Sequence, residues 1–268
     1  MTEDSIGAAA VAVLACADAR KKADRSREMA EAWRAGRLAP VCDRVPPDRP
    51  ARPARPRLLD PGDMPRRGGA GSRANRIALL HALAHIELNA IDLAWDIIAR
   101  FGAGKPRAFL DDWVDVADDE ARHFVLLSER LAALGAAYGD LPAHDGLWQA
   151  AVKTRQDFGA RLAIVPLVLE ARGLDVTPAM IERLRRTGDP DSAAVLETIL
   201  DDEIGHVARG WRWFDWACRE QGRNPVAHFH ALVRAYHGAG LKPPFNETAR
   251  RQAGLAPACY RPLAQGPC

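Results

Sequence analysis

The chain has 268 residues, a formal net charge of +2 and only 6% aromatic residues. A balance so near neutral points to neither a nucleic-acid partner nor a membrane surface. Five scattered cysteines (Cys16, Cys42, Cys218, Cys259 and Cys268) form no C-x-x-C pair. That pattern argues for reduced thiols in a cytoplasmic protein, and against a disulfide framework or a rubredoxin-type iron site.

Residues 6–17 have the apolar length of a signal peptide, but Glu3 and Asp4 precede them and no Lys or Arg does. The run is also too short to span a bilayer. It reads as the start of one Ala-rich helix over residues 5–36. Residues 40–72 carry eight prolines and end in Gly68, Gly69 and Gly71, so they form an extended arm. Nine arginines fall within residues 43–76. They alternate with Pro and with the apolar anchors Leu58, Leu59 and Met64, which favours a strap over a nucleic-acid contact.

Helices follow over 73–100, 109–134 and 146–171, ending at Gly102, Gly135 and Gly173. A short helix is expected from Pro178 with Thr177 as its cap. Asp189-Pro190 opens a helix to about Glu220, and Asn224-Pro225 opens the last one, which ends near Gly238. No segment alternates with period two, so the fold class is all-α. The division read from this is 1–72 as N-terminal helix and arm, 73–238 as a four-helix bundle plus a C-terminal helix, and 239–268 as an irregular tail. Pro166 should kink the 146–171 helix.

One motif occurs twice. Asp119-Glu120-Ala121-Arg122-His123 and Asp202-Glu203-Ile204-Gly205-His206 both read D-E-x-x-H. A lone Glu in an apolar helical stretch lies 33 residues before each motif Glu: Glu87 before Glu120, and Glu170 before Glu203. Glu and His at i and i+3 share a helix face and can bind one ion. A single E-x-x-H is ordinarily a solvated surface pair. Four Glu and two His in this order, two of the Glu in strongly apolar surroundings, instead match a dimetal site in a bundle core, because buried carboxylates need a compensating charge. The ligand types suit two iron ions, with manganese or a mixed Mn/Fe pair as the alternative. Asp119 and Asp202 are placed as outer carboxylates that orient the opposite motif's imidazole, Asp119 for His206 and Asp202 for His123. Asp118 and Asp201 read as solvated acids. His81 and His85 are spaced for a metal, but His85 points about 160° away from Glu87 on the helix wheel, so both read as structural. No Tyr lies in the ligand segments.

Glu87, Glu120, His123, Glu170, Glu203 and His206 resemble the ligand order of the ferritin-like diiron superfamily. The segments 52–56, 64–67, 85–96, 120–124, 169–178 and 242–246 more closely resemble an uncharacterised bacterial family of ferritin-like proteins. The resemblance implies a ferritin-like bundle and a diiron oxidase or hydroxylase. Such an enzyme uses dioxygen, an electron donor and a small-molecule substrate. A ferroxidase or iron-binding stress protein, and a tRNA-modifying hydroxylase, are the rival activities. Oligomeric state is open, with a homodimer compatible.

Overall fold

The computed structural model describes residues 4–65 and 71–264. Helix dominates them. The β pairing among the described residues is limited to three isolated bridges: Ser5 with Ala39, Leu58 with Ala143 and Leu241 with Ala264. The fold is therefore all-α. Its chain forms two compact units, Met1–Trp148 and Gln149–Cys268.

In the first unit, two helices replace the single one expected over 5–36: α1 (Ile6–Leu14) and α2 (Ala19–Arg34). The break has a local cause. Asp18 adopts extended backbone and its carboxylate accepts from Lys21 N at 2.8 Å, so it caps a new helix. Next come α3 (Arg73–Phe101) and α4 (Arg107–Ala133), close to the predicted bounds. Ser72 caps α3 through Asn75 N. α1 packs on α3, α2 on α4, and α3 on α4. α3 is long and apolar enough to cross a membrane, but 67% of its most apolar window is buried inside the protein. It also carries the buried acids Glu87, Asp92 and Asp96.

The arm straps this unit. Ala51 N donates to Leu14 O, Leu59 N to Ala143 O, and Ala143 N to Arg57 O. Arg49 pairs with Asp145, and Arg52 with Asp92 at 3.1 Å. Arg66, Arg67, Gly68 and Gly69 lie outside the described residues. Beneath the strap, Lys22 and Asp92 form an ion pair with essentially no solvent exposure. Burial pushes the Lys22 ammonium below its usual range and the Asp92 carboxyl above its own.

Asp118 corrects the sequence reading. It does not stand alone in solvent: Arg27 and Arg34 of α2 reach it at 3.3 and 2.7 Å. Water screens both arginines, so Asp118→Ala should lower the unfolding free energy by only about 0.5–1 kcal/mol in a urea titration.

The remaining helices are α5 (Gly146–Lys153), α6 (Phe158–Ile164), α7 (Ala171–Arg186), α8 (Pro190–Glu220) and α9 (Pro225–Leu232). A π-helical segment, Val165–Glu170, joins α6 to α7. The expected single helix over 146–171 is thus divided. Asp157 caps α6 through Ala160 N at 2.9 Å, and Pro166 falls in the π segment rather than at a simple kink. α7 then runs through Gly173 and Pro178, so Thr177 is no cap. Pro178 cannot donate to Leu174 O, and Asn246 Nδ2 donates to that carbonyl at 3.1 Å instead. Within this unit α7 packs on α8, and α6 packs on the π segment and on α8. Asp189 and Asn224 cap α8 and α9 as predicted. The segment expected to be irregular after residue 239 contains two short helices, α10 (Glu247–Gln252) and α11 (Pro257–Tyr260).

Candidate metal centre

In the first unit α3 presents Glu87 and α4 presents Glu120 and His123. The three are almost wholly buried, at 3%, 0% and 0% exposure. Local sequence explains the presentation. Leu80, Leu88 and Ile91 of α3 and Leu127 of α4 are wholly buried, the two helices pack on each other, and the acids ride on those helices. His123 Nδ1 lies 3.3 Å from Glu87 Oε2 and 3.6 Å from Glu120 Oε2. One ligand atom from each residue fits within 4.8 Å of the others. Atoms that share an ion sit about 3–4.2 Å apart at bond lengths near 2.1 Å. Two carboxylates and one imidazole on this scale suit a hard-to-borderline divalent cation such as iron or manganese.

Electrostatics point the same way. Burial, followed by the Glu120 charge, raises the Glu87 carboxyl to about 8, and the hydrogen bond to His123 only partly offsets this. Without a cation the pair holds a proton that two ionised neighbours could not do without.

In the second unit α8 repeats the E-x-x-H arrangement. His206 is fully buried and its Nδ1 lies 3.8 Å from Glu203 Oε2, close to the 3.6 Å spacing of His123 and Glu120. Glu170 is half-buried and closes the π segment. Of the six residues singled out by the sequence, Glu87, Glu120 and His123 converge in the first unit, and Glu203 and His206 pair in the second. Asp119 is half-buried and accepts from Arg122 Nη2 at 3.0 Å. Asp202 is half-buried and Asp201 exposed.

Gly210 shows why the π segment can lie so near α8. A Cβ there would stand 2.6 Å from Pro166 Cβ. Gly210→Ala should push the π segment, and Glu170 with it, and overpack the unit by about 1–3 kcal/mol. A lower melting temperature of the metal-free protein checks this; an unchanged one would refute the close contact.

His85 has the structural role expected from the helix wheel. Its Nδ1 lies 2.8 Å from Tyr138 Oη, and its Nε2 lies 3.2 Å from His144 O. Burial drops the imidazole to about 3, so it is neutral. Tyr138 itself was not legible in the sequence. A loop residue, it stacks on His81 at 5.4 Å and meets Phe124 edge-on at 5.3 Å; no periodicity marks such a position. Replacing His85 by Gln should leave metal content unchanged in elemental analysis, and a lost ion would contradict its structural role.

No solved structure matches the chain. An "Uncharacterized protein" of Haemophilus influenzae is 42% identical over 209 residues, covering 76% of this chain and 72% of that protein. The model of the family described as "Protein of unknown function (DUF455)" matches residues 15–261. With nearly the whole chain covered by that match, the protein belongs to the DUF455 family.

Proposed function

We propose that the protein is an oxygen-activating, non-haem diiron oxidoreductase built on a ferritin-like four-helix bundle. Glu87, Glu120, His123, Glu170, Glu203 and His206 hold the ions. The observation that carries this reading is the buried Glu87–Glu120–His123 group, whose two acids and one imidazole lie within 4.8 Å of one another. Such a group is costly to bury without a cation. The i,i+3 geometry of Glu203 and His206 supports a second, equivalent half.

When bound, the iron pair supplies dioxygen binding and electron transfer. The chain's own residues set the conditions. Glu87 and Glu120 provide the negative charge that balances the ions. His123 and His206 provide neutral nitrogen donors, and Asp119 and Asp202 orient those imidazoles. The apolar walls of α3 and α4 keep bulk water from the carboxylates. The substrate is a small organic molecule or a modified base, and an electron donor completes the cycle.

The test is anaerobic reduction of the iron-loaded protein, exposure to O₂ and absorption spectroscopy with and without candidate substrates. A transient absorption whose decay quickens with substrate supports an oxidase or hydroxylase. Oxidation of added Fe(II) alone, indifferent to every substrate, would replace this reading with a ferroxidase.

A further inference from the structure

The second unit carries an open-mouthed cavity of about 290 Å³ that the metal reading leaves unused. Val168 and Leu169 of the π segment form one wall, and Phe245 another. Arg172, Lys242 and His237 supply the polar part of the lining. Leu169, Arg172 and Asp175 of its lining fall in segment 169–178, and Lys242 and Phe245 in segment 242–246, two of the segments on which the family likeness rests.

The charges around the cavity do not balance. Among its described lining residues the carboxylate is Asp175. That group is already committed: Arg250 grips it with two bonds, Nε at 2.8 Å and Nη2 at 2.7 Å, and Asn246 N donates to it at 2.9 Å. The bidentate pair cancels the Arg250 charge. Arg172 stands 3.5 Å from Asp175 Oδ2 and adds a second cation to the one acid. Lys242 is exposed at the rim and makes no side-chain ion pair among the described residues. Two positive charges are therefore in surplus beside an apolar wall.

The frame is also rigid. Arg172 Nη1 donates to Lys242 O at 2.6 Å and to Pro244 O at 3.2 Å, so one cation fixes the backbone that carries the other. Phe245 is held between the Arg250 guanidinium, 5.0 Å from its ring centre, and the Tyr260 ring at 4.9 Å. A concave, mostly apolar site with a few convergent polar groups is the usual form of a small-molecule pocket.

We propose that this cavity binds a small amphiphilic anion, its carboxylate or phosphate head between Arg172 and Lys242 and its apolar body against Val168, Leu169 and Phe245. Leu169 immediately precedes Glu170, so the bound molecule lies beside a residue assigned above to the metals. That the anion is the substrate rests on the diiron reading; that it binds does not.

The experiment is calorimetric titration of the full-length, metal-free chain with octanoate, octyl phosphate, octanol and octylamine. One saturable site is expected for an anion, at least ~10-fold tighter than for the alcohol or the amine, equivalent to about 1.4 kcal/mol. The tighter of octanoate and octyl phosphate identifies the head group. Lys242→Glu should weaken that binding at least ~10-fold, by reversing the charge the head group meets, with unchanged thermal unfolding. Val168→Glu is the second variant and should weaken it from the apolar side. Equal affinity for octanol and octanoate, no saturation at millimolar ligand, or full binding by Lys242→Glu would each overturn the proposal. Binding of octanoate by metal-free protein, with no O₂ uptake at all once iron is loaded, would uphold the site and count against the diiron reading alone.

Discussion

Glu120→Ala should cost the protein metal: about two ions per chain in wild type, and at most one in the variant. Elemental analysis after anaerobic loading with Fe(II) provides the measurement, and wild-type protein that takes up one ion or none would sink the dimetal reading. The size of the effect follows from where Glu120 sits. It is fully buried, 3.6 Å from His123 Nδ1, and it is the strongest charge acting on Glu87. Removing it deletes a donor and half the local negative charge in one step. Glu203→Ala is expected to behave in the same way. Metal uptake should also release protons, because Glu87 is protonated up to about pH 8 in the metal-free protein and a ligand must be deprotonated. The sign for stability is the reverse of the ordinary carboxylate. The folded-state value lies above the ordinary glutamate value of 4.5, so this group's contribution to metal-free stability is complete below pH 4.5 and is lost as the pH rises through about 8. A metal-free Glu120→Gln protein should lose part of that pH dependence, since the neighbouring charge that raises Glu87 is gone.

Asp92→Ala should lower the unfolding free energy by about 3–5 kcal/mol, the range for breaking a buried pair by removing one partner. Lys22 and Asp92 have side-chain exposures of 1% and 0%, and Arg52 meets the second carboxylate oxygen with 13%. Alanine would leave the Lys22 ammonium buried with Ala51 O, 3.0 Å away, as its remaining hydrogen-bond partner, and would remove the Arg52 ion pair that ties down the strap, leaving Arg52 its bond to Asn89 Oδ1. Chemical denaturation of the metal-free protein measures the loss. The double variant Lys22→Met/Asp92→Leu should recover most of it, because replacing both charges with apolar groups removes the desolvation cost as well as the attraction. A loss below about 1 kcal/mol in Asp92→Ala would mean that water reaches the pair.

Helix positions with strong local signals were legible in the sequence. The caps Asp189 and Asn224, each followed by proline at the first helical position, place the starts of α8 and α9 to within a residue. Reading failed where a distant residue changes the local rule. Pro178 looks like a helix start because its missing N–H should leave Leu174 O unsatisfied, and only Asn246, from a segment far along the chain, removes that cost. The break between α1 and α2 was legible in principle, since Asp18 is a good cap, but the Ala-rich run on either side hid it. Asp118 was misplaced because a helix wheel describes one helix and cannot say that α2 lies alongside α4.

By itself the sequence determined the all-α class, the two D-E-x-x-H motifs and the lone Glu before each, because helical period and i,i+3 spacing are local properties of the backbone. It also separated His85 from the ligand face for the same reason. Only the tertiary structure decided that Glu87 comes within 3.3 Å of His123, that Tyr138 covers His85, that Asp92 buries a lysine from α2, and that Arg172 and Lys242 share one cavity. Each of these joins residues far apart along the chain, and such contacts depend on which helix faces bury against each other, a choice made by packing the whole core rather than by any local stretch.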